Sequence, residues 1–348
     1  MIHRLKMNLR AAVVAAAGGL PAMTAGAYGA MAQTVEMKIG FVTINDSQHE
    51  SAKLFAEEIG KRTNGGIQAR VFPAGQLGNI ARQIEGLQLG TQEAFYSPHG
   101  FFVGINPAFQ AADAPGLFES EWHHLKTLNH PALRERFLAL AEHANITGVY
   151  TWSAGHTGIA SRVPIRTIDD INGLKLRVLA SKVEVAYVKA LGATGVPMDF
   201  SEVMPAIQNR TLEGTRIGVV VLAPSKFYTV AKYLYNEATG YVPTAMWLSK
   251  SWLDKLPASH HDAIYAVGRD LTDRTQMIAH DLIDRLDKVW LENGGEIVQP
   301  TAADQAEMLR RARVVSDEVL GGDPKVRDVY ALVKQAAEAT RGGQPPKR

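Results

Sequence analysis

Arg177 closes an alternating stretch, Leu174-Lys175-Leu176-Arg177-Val178, whose period of two reads as a strand. An arginine there carries two readings. On a solvated strand it is a hydrated or salt-bridged surface group. At a strand end in an open α/β sheet it stands where ligands are held. Its planar fork can grip a carboxylate through two parallel charge-assisted bonds. Other side chains could meet an anion with it. His156 can hydrogen-bond a ligand oxygen with a pH-dependent charge, or satisfy a polar group of the core. Arg216 reads as a second cation in a cleft or as a surface residue. Phe200 reads as core. Tyr96, Ser97 and His99 follow a strand and are expected to line the first-domain side of a cleft. Trp152 and Trp247 read as core.

Other chemistries find no support. With no cysteine in the chain, disulfides, thiolate metal sites and Cys nucleophiles are excluded. Thr151-Trp152-Ser153-Ala154-Gly155 misses the G-x-S-x-G elbow at its first position. His123-His124 and His260-His261 are adjacent pairs, which do not face one metal from a single helix or strand. No phosphate loop, dinucleotide fingerprint or H-E-x-x-H is present. No catalytic residue, metal or cofactor is therefore expected.

The elements that must position these groups follow from periodicity. Val35, Met37, Ile39 and Phe41 alternate as a strand, and residues 49–61 carry apolar side chains at helical spacing. Ile67, Ala69 and Val71 form a second strand, FPAGQLGN (72–79) a loop, and Ile80 to Leu89 a helix. This β-α-β-α order predicts a mostly parallel sheet with helices on its faces. A second α/β unit starts near His156. It holds the Arg177 strand, a helix over 183–191, and a helix over 203–208 capped by Ser201. The apolar run Gly218–Leu222 suits a buried strand. Residues 259–292 form the longest periodic segment, roughly 50 Å as one helix. Its length is expected to cross two domains, with Gly268 a candidate kink.

The first 32 residues read as a cleaved export signal. A basic start (Arg4, Lys6, Arg10) precedes a small-residue apolar run ending in Ala30-Met31-Ala32 before Gln33. Removing it takes three cations and no acid, so the formal net charge of +2 becomes −1. A near-neutral body does not read as a nucleic-acid binder. Beyond the signal no run is apolar and long enough to span a bilayer. The remaining length implies two domains, with a disordered tail over 342–348.

Set together, GLKLRV (173–178) and VPMDFSEV (196–203) resemble the solute-binding proteins of TRAP transporters, the DctP-type family. FAEEI (55–59), VFPAGQLG (71–78), KFY (226–228) and the long helix support the resemblance. It implies an α/β, two-lobed periplasmic binding protein fold with a ligand cleft between the lobes and a long lobe-spanning helix. The lobes would be 33–153 plus 243–282 and 154–242 plus 283–341. The arginine of the KLRV strand, Arg177, would hold a substrate carboxylate, with Phe200 as an aromatic wall. Sialate-binding members carry a second arginine where His156 stands and an asparagine where Ile217 stands. Those departures point away from sialic acid, towards a smaller or more apolar organic acid. The resemblance further implies a monomeric periplasmic receptor that delivers its anion to TRAP membrane permease subunits. The alternatives are a ligand sensor for a membrane kinase and a secreted hydrolase or isomerase.

Overall fold

The computed structural model describes residues 34–342. The expected signal and its cleavage point, and the expected tail past Gly342, lie outside the described residues. Alternation at the start yields β1 (Val35–Gly40). The helix after it is α1 (Ser47–Arg62), whose first turn is capped by Asp46 accepting from the His49 backbone N–H. β2 (Ile67–Phe72), α2 (Ile80–Leu89, capped by Asn79) and β3 (Ala94–Pro98) complete the first unit. Two 3₁₀ turns, His99–Phe102 and Pro107–Asp113, lead to α3 (Glu121–Leu128) and α4 (Arg134–Leu138).

The chain then enters β4 (Ile146–Ser161), which sequence periodicity did not reveal as one strand. β5 (Lys175–Val178), α5 (Lys182–Ala190), β6 (Thr194–Pro197), α6 (Phe200–Gln208) and β7 (Gly214–Gly218) form the second unit. The run after β7 is not the expected strand. Val219–Val221 is a buried 3₁₀ turn, because a continuous apolar run signals burial and carries no period. The cap of α6 is Asp199 rather than Ser201. β8 (Tyr233–Tyr235), β9 (Tyr241–Ser249), α7 (Lys250–Leu253), α8 (Ala258–Glu292), β10 (Glu296–Val298), α9 (Ala302–Gly322) and α10 (Arg327–Ala339) follow.

The described strands run β2-β1-β3-β9-β4-β7-β5-β6, with β8 on β4 and β10 on β8. β1 pairs in parallel with β2 and β3, and β5 with β6 and β7. The middle is antiparallel: β9 lies between β3 and β4, and β4 against β7. The sheet is therefore mixed rather than mostly parallel, since β4 and β9 carry the chain in opposite directions through its centre. β4 joins the two halves. Its residues up to His156 pair with β9, and Thr157–Ser161 pair with β7. The change falls at a register shift between Ser153 and His156, where Gly155 takes φ +88, a conformation glycine adopts without steric cost.

α8 runs unbroken past Gly268 and spans both halves. Its first part packs Ile264, Val267 and Leu271 with Phe55, Trp152 and Met246. Its last part packs Leu282, Leu286 and Trp290 with Val203, Ile207 and Leu222. Gly268 lets the helix approach β4 closely: a Cβ there would come within 2.7 Å of Val149 Cγ1. α9 packs on α5, whereas α10 reaches back to α3, where His123 Nε2 meets the Ala337 carbonyl at 2.8 Å. Among the described residues no helix is long and apolar enough to cross a membrane.

Candidate functional site

Residues at the carboxyl ends of parallel strands from both halves line one cavity. The residues just past β1 (Val42, Thr43), the end of β3 (Pro98) and Phe101 come from one half; the ends of β5 (Arg177, Leu179) and β7 (Ile217, Gly218) come from the other. Between them lies a cavity of about 50 Å3. Such strand ends are where open α/β sheets leave a crevice. Gln48 of α1, Ile80 at the start of α2, Phe200 at the start of α6, Val220 and Val221, and Val242 and Thr244 of β9 complete its wall with Ala154.

Arg177 dominates its electrostatics. Its side chain is wholly buried. Its Nε donates to the Met198 carbonyl at 3.1 Å, and its guanidinium lies 5.9 Å from the centre of the Phe101 ring, across the cavity. Neither terminal nitrogen, Nη1 nor Nη2, has a hydrogen-bond partner among the described residues. Burial pulls the Arg177 pKa down to about 10, with Asp199 and Glu184 offsetting part of that pull. A buried cation with two free donors costs several kcal/mol or more unless a counter-charge meets it. The arrangement is suited to receiving a carboxylate on the Nη1–Nη2 edge.

Phe200 and Ile217 share this cavity wall with Arg177. The other candidates lie elsewhere, each for a local reason. Arg216 is neither a cleft cation nor a surface residue. It is buried between Glu184 and Glu237, donating to Glu184 through Nη1 and to Glu237 through Nε at 2.9 Å. Burial alone would lower its pKa, but the two carboxylates outweigh burial and hold it above the usual arginine value. His156 turns away from the cavity, and its Nε2 lies 2.6 Å from Asn236 Oδ1.

Tyr96, Ser97 and His99 do not line the cavity either. Tyr96 points to the α1–α8 face of the sheet, where its hydroxyl meets Tyr150 Oη at 2.6 Å. Ser97 is buried and its carbonyl accepts from Trp247 Nε1 at 3.1 Å. His99 lies under Phe109, Phe137 and Trp247, with Nε2 3.1 Å from Thr151 Oγ1. Burial holds its pKa well below the usual histidine range, so it brings no positive charge to an anion.

Of the residues at the site that escaped sequence reading, Asp199 and Thr244 bear most on its polar chemistry. Asp199 caps α6, its Oδ1 accepting from the Ser201 N–H at 3.0 Å, while its Oδ2 accepts from the Ile80 N–H of the opposite half at 3.2 Å. One carboxylate thus links the two halves beside the cavity, next to the lining residues Phe200 and Ile80. The signal was present, since Asp199-Phe200-Ser201-Glu202 has the spacing of a capping box. Thr244 lines the cavity with a buried Oγ1 that has no partner among the described residues. Nothing in an apolar strand marks that threonine beforehand.

A larger cleft of about 690 Å3 lies among α9, α10 and the 115–119 loop. Its charges are mutually satisfied: Asp317 accepts from Tyr330 at 3.1 Å and Lys334 at 3.0 Å, Arg341 pairs with Glu119 at 2.6 Å, and Arg313 donates to the Gly116 carbonyl at 3.0 Å. The smaller cavity holds the cation with unpartnered nitrogens, which makes it the candidate site for an anion. Among the described residues no cluster of His, Asp and Glu is arranged to hold a metal ion.

Residues 40–321 match the bacterial extracellular solute-binding proteins, family 7, also called DctP. The chain is 28% identical to the 2,3-diketo-L-gulonate-binding periplasmic protein YiaO of Escherichia coli, over 82% of this chain and 89% of that one. It is 28% identical to the C4-dicarboxylate-binding periplasmic protein DctP of Rhodobacter capsulatus, over 83% and 88% of the two chains. A TRAP periplasmic solute-binding protein from Desulfovibrio salexigens, solved with bound orotic acid, superposes with TM-score 0.83 at 24% identity, covering 88% of this chain and 99% of that one.

Proposed function

Because this chain belongs to the DctP family of bacterial extracellular solute-binding proteins, we propose that it captures a small organic-acid anion between its two lobes and delivers it to a TRAP-type membrane permease. The observation that carries the reading is Arg177, buried at the cavity with both terminal nitrogens unpartnered. A carboxylate on that edge would restore the counter-charge the protein withholds. With water excluded, the pairing is stronger than at a surface. Phe200 and Ile217 are its apolar walls. Relatives named for 2,3-diketo-L-gulonate and C4-dicarboxylates support an acid as the ligand class.

We assign the lobes as 33–153 plus 243–282 and 154–242 plus 283–341, with α10 reaching back onto the first. Opening needs a hinge, and β4 and β9 are the strands that cross. In this reading the Asp199–Ile80 contact forms on closure, and the closed receptor is monomeric. Export by removal of residues 1–32 and a periplasmic location complete the proposal. Intact mass of periplasmic material tests the export step: a mature start near Gln33 is expected, and retention of Met1 would contradict it.

The site itself is tested by calorimetric titration of organic acids against wild type, Arg177→Lys and Arg177→Ala. Lysine keeps the charge and loses the two-point grip, so binding weakens. Alanine costs about 3 kcal/mol or more, because the carboxylate would be buried without a partner. An alanine variant that folds and binds within a few-fold of wild type would place the site elsewhere.

A further inference from the structure

The cavity wall says more about the ligand than that it is an acid. We infer that the ligand is a monocarboxylate with a compact apolar tail and at most one further polar atom; this rests on Arg177 being the carboxylate anchor. Three observations carry it.

The first is charge. Arg177 is the one cation among the described residues that line the cavity. The neighbouring cation, Arg216, is locked between Glu184 and Glu237, and His156 is turned to Asn236. A second carboxylate on the ligand would be buried with no counter-charge, which binding sites reject strongly.

The second is hydrogen bonding. A polyhydroxylated acid needs several donors and acceptors around its body. Here Leu179, Ile217, Val220, Val221 and Val242 occupy those directions. Of the polar wall groups, the Gln48 amide already donates to Thr43 Oγ1 at 3.0 Å. Thr244 Oγ1 is buried and unpartnered, so it can serve a single ligand oxygen, such as a 2-oxo or 2-hydroxy group.

The third is size. A cavity of about 50 Å3 is far below the several hundred cubic ångströms of a pocket for a drug-sized molecule. At that size the walls must part for any organic acid, and a short chain asks the least movement of them.

The test titrates the purified protein with two sets of acids. The first holds 3-methylbutanoate and 3-methyl-2-oxobutanoate; the second holds succinate and D-galacturonate. The neutral 3-methylbutanamide is the control. The first set is expected to bind at least about tenfold more tightly than the second, and the amide not measurably. Thr244→Val is expected to reduce the preference for the 2-oxo acid over 3-methylbutanoate while leaving the latter's binding in place. Tighter binding of succinate or galacturonate, lost in Arg177→Ala, would overturn the ligand class and leave the receptor reading standing. Binding of the amide as tightly as the acid would overturn both, as would no binding by any acid of either set.

Discussion

Arg177 and Arg216 lie in the same half of the molecule, on neighbouring parallel strands, and both are fully buried. One is surrounded by protein carboxylates; the other has its terminal nitrogens left open at a cavity. Around Arg216 the chain supplies Glu184, Glu237, Thr157 and Thr239 as acceptors. Around Arg177 it supplies a single carbonyl and the face of Phe101. The same side chain at similar depth is a structural tie in one place and, in the proposed reading, a carboxylate anchor in the other. What separates them is whether the protein itself provides the counter-charge.

The sharpest way to break this comparison is to remove each guanidinium in turn. Arg216→Met leaves two buried carboxylates facing each other and is expected to cost about 3–5 kcal/mol of stability. Arg177→Met removes a buried cation that no protein carboxylate pairs with directly, and stability should equal or exceed that of wild type, by up to a few kcal/mol. Urea unfolding midpoints measure both. Equal losses would mean that Arg177 also has a structural partner.

A second variant sharpens the Arg216 side. Asp113 is fully buried beside the same network. Burial first, then the neighbouring Glu184, raises its pKa well above the usual aspartate value, and Arg216 pulls the other way. With the folded pKa above the unfolded one, the folded state binds the extra proton. Asp113 therefore stabilises the fold least at high pH: its contribution is full below about 3.9 and is lost as pH rises through the folded value. Asp113→Asn does not titrate. Its melting temperature should match wild type near pH 4 and exceed it by a widening margin towards pH 8. A constant offset across that range would show that Asp113 ionises normally in the fold.

The smallest expected effect concerns the link beside the cavity. Asp199→Asn keeps an acceptor but loses the charge that takes both Ser201 and Ile80. It should weaken closure by about 1 kcal/mol. Stopped-flow measurement should then show several-fold faster ligand release with little change in stability. Unchanged release would mean the contact does not control opening.

How much of this was legible beforehand depends on the kind of signal. Elements with a clear period were found nearly to the residue: the helix expected over Ile80 to Leu89 is α2, and the segment expected over 259–292 is α8. The apolar run at Val219–Val221 had no period, and its 3₁₀ conformation could not be read. Faces were harder than elements. Phe95 and Tyr96 sit on opposite sides of β3, so a strand known to approach the cleft did not say that Tyr96 belongs to the α1–α8 core. Partners were hardest of all. Glu184 and Glu237 lie 32 and 21 residues from Arg216, and nothing in local sequence says that the fold brings them to it. Arg177 was singled out by the pattern around it, but that it lacks such partners emerged only with the tertiary structure.

The central claim is that the open edge of Arg177 is completed by a ligand carboxylate. A crystal structure of the protein grown with whichever acid of the two sets raises its melting temperature most tests it directly. The account predicts both carboxylate oxygens at about 2.8 Å from Nη1 and Nη2 of Arg177, with the rest of the molecule against Phe200 and Ile217. An acid bound with its carboxylate on another residue, or an Arg177 turned to pair with a protein carboxylate, would contradict it.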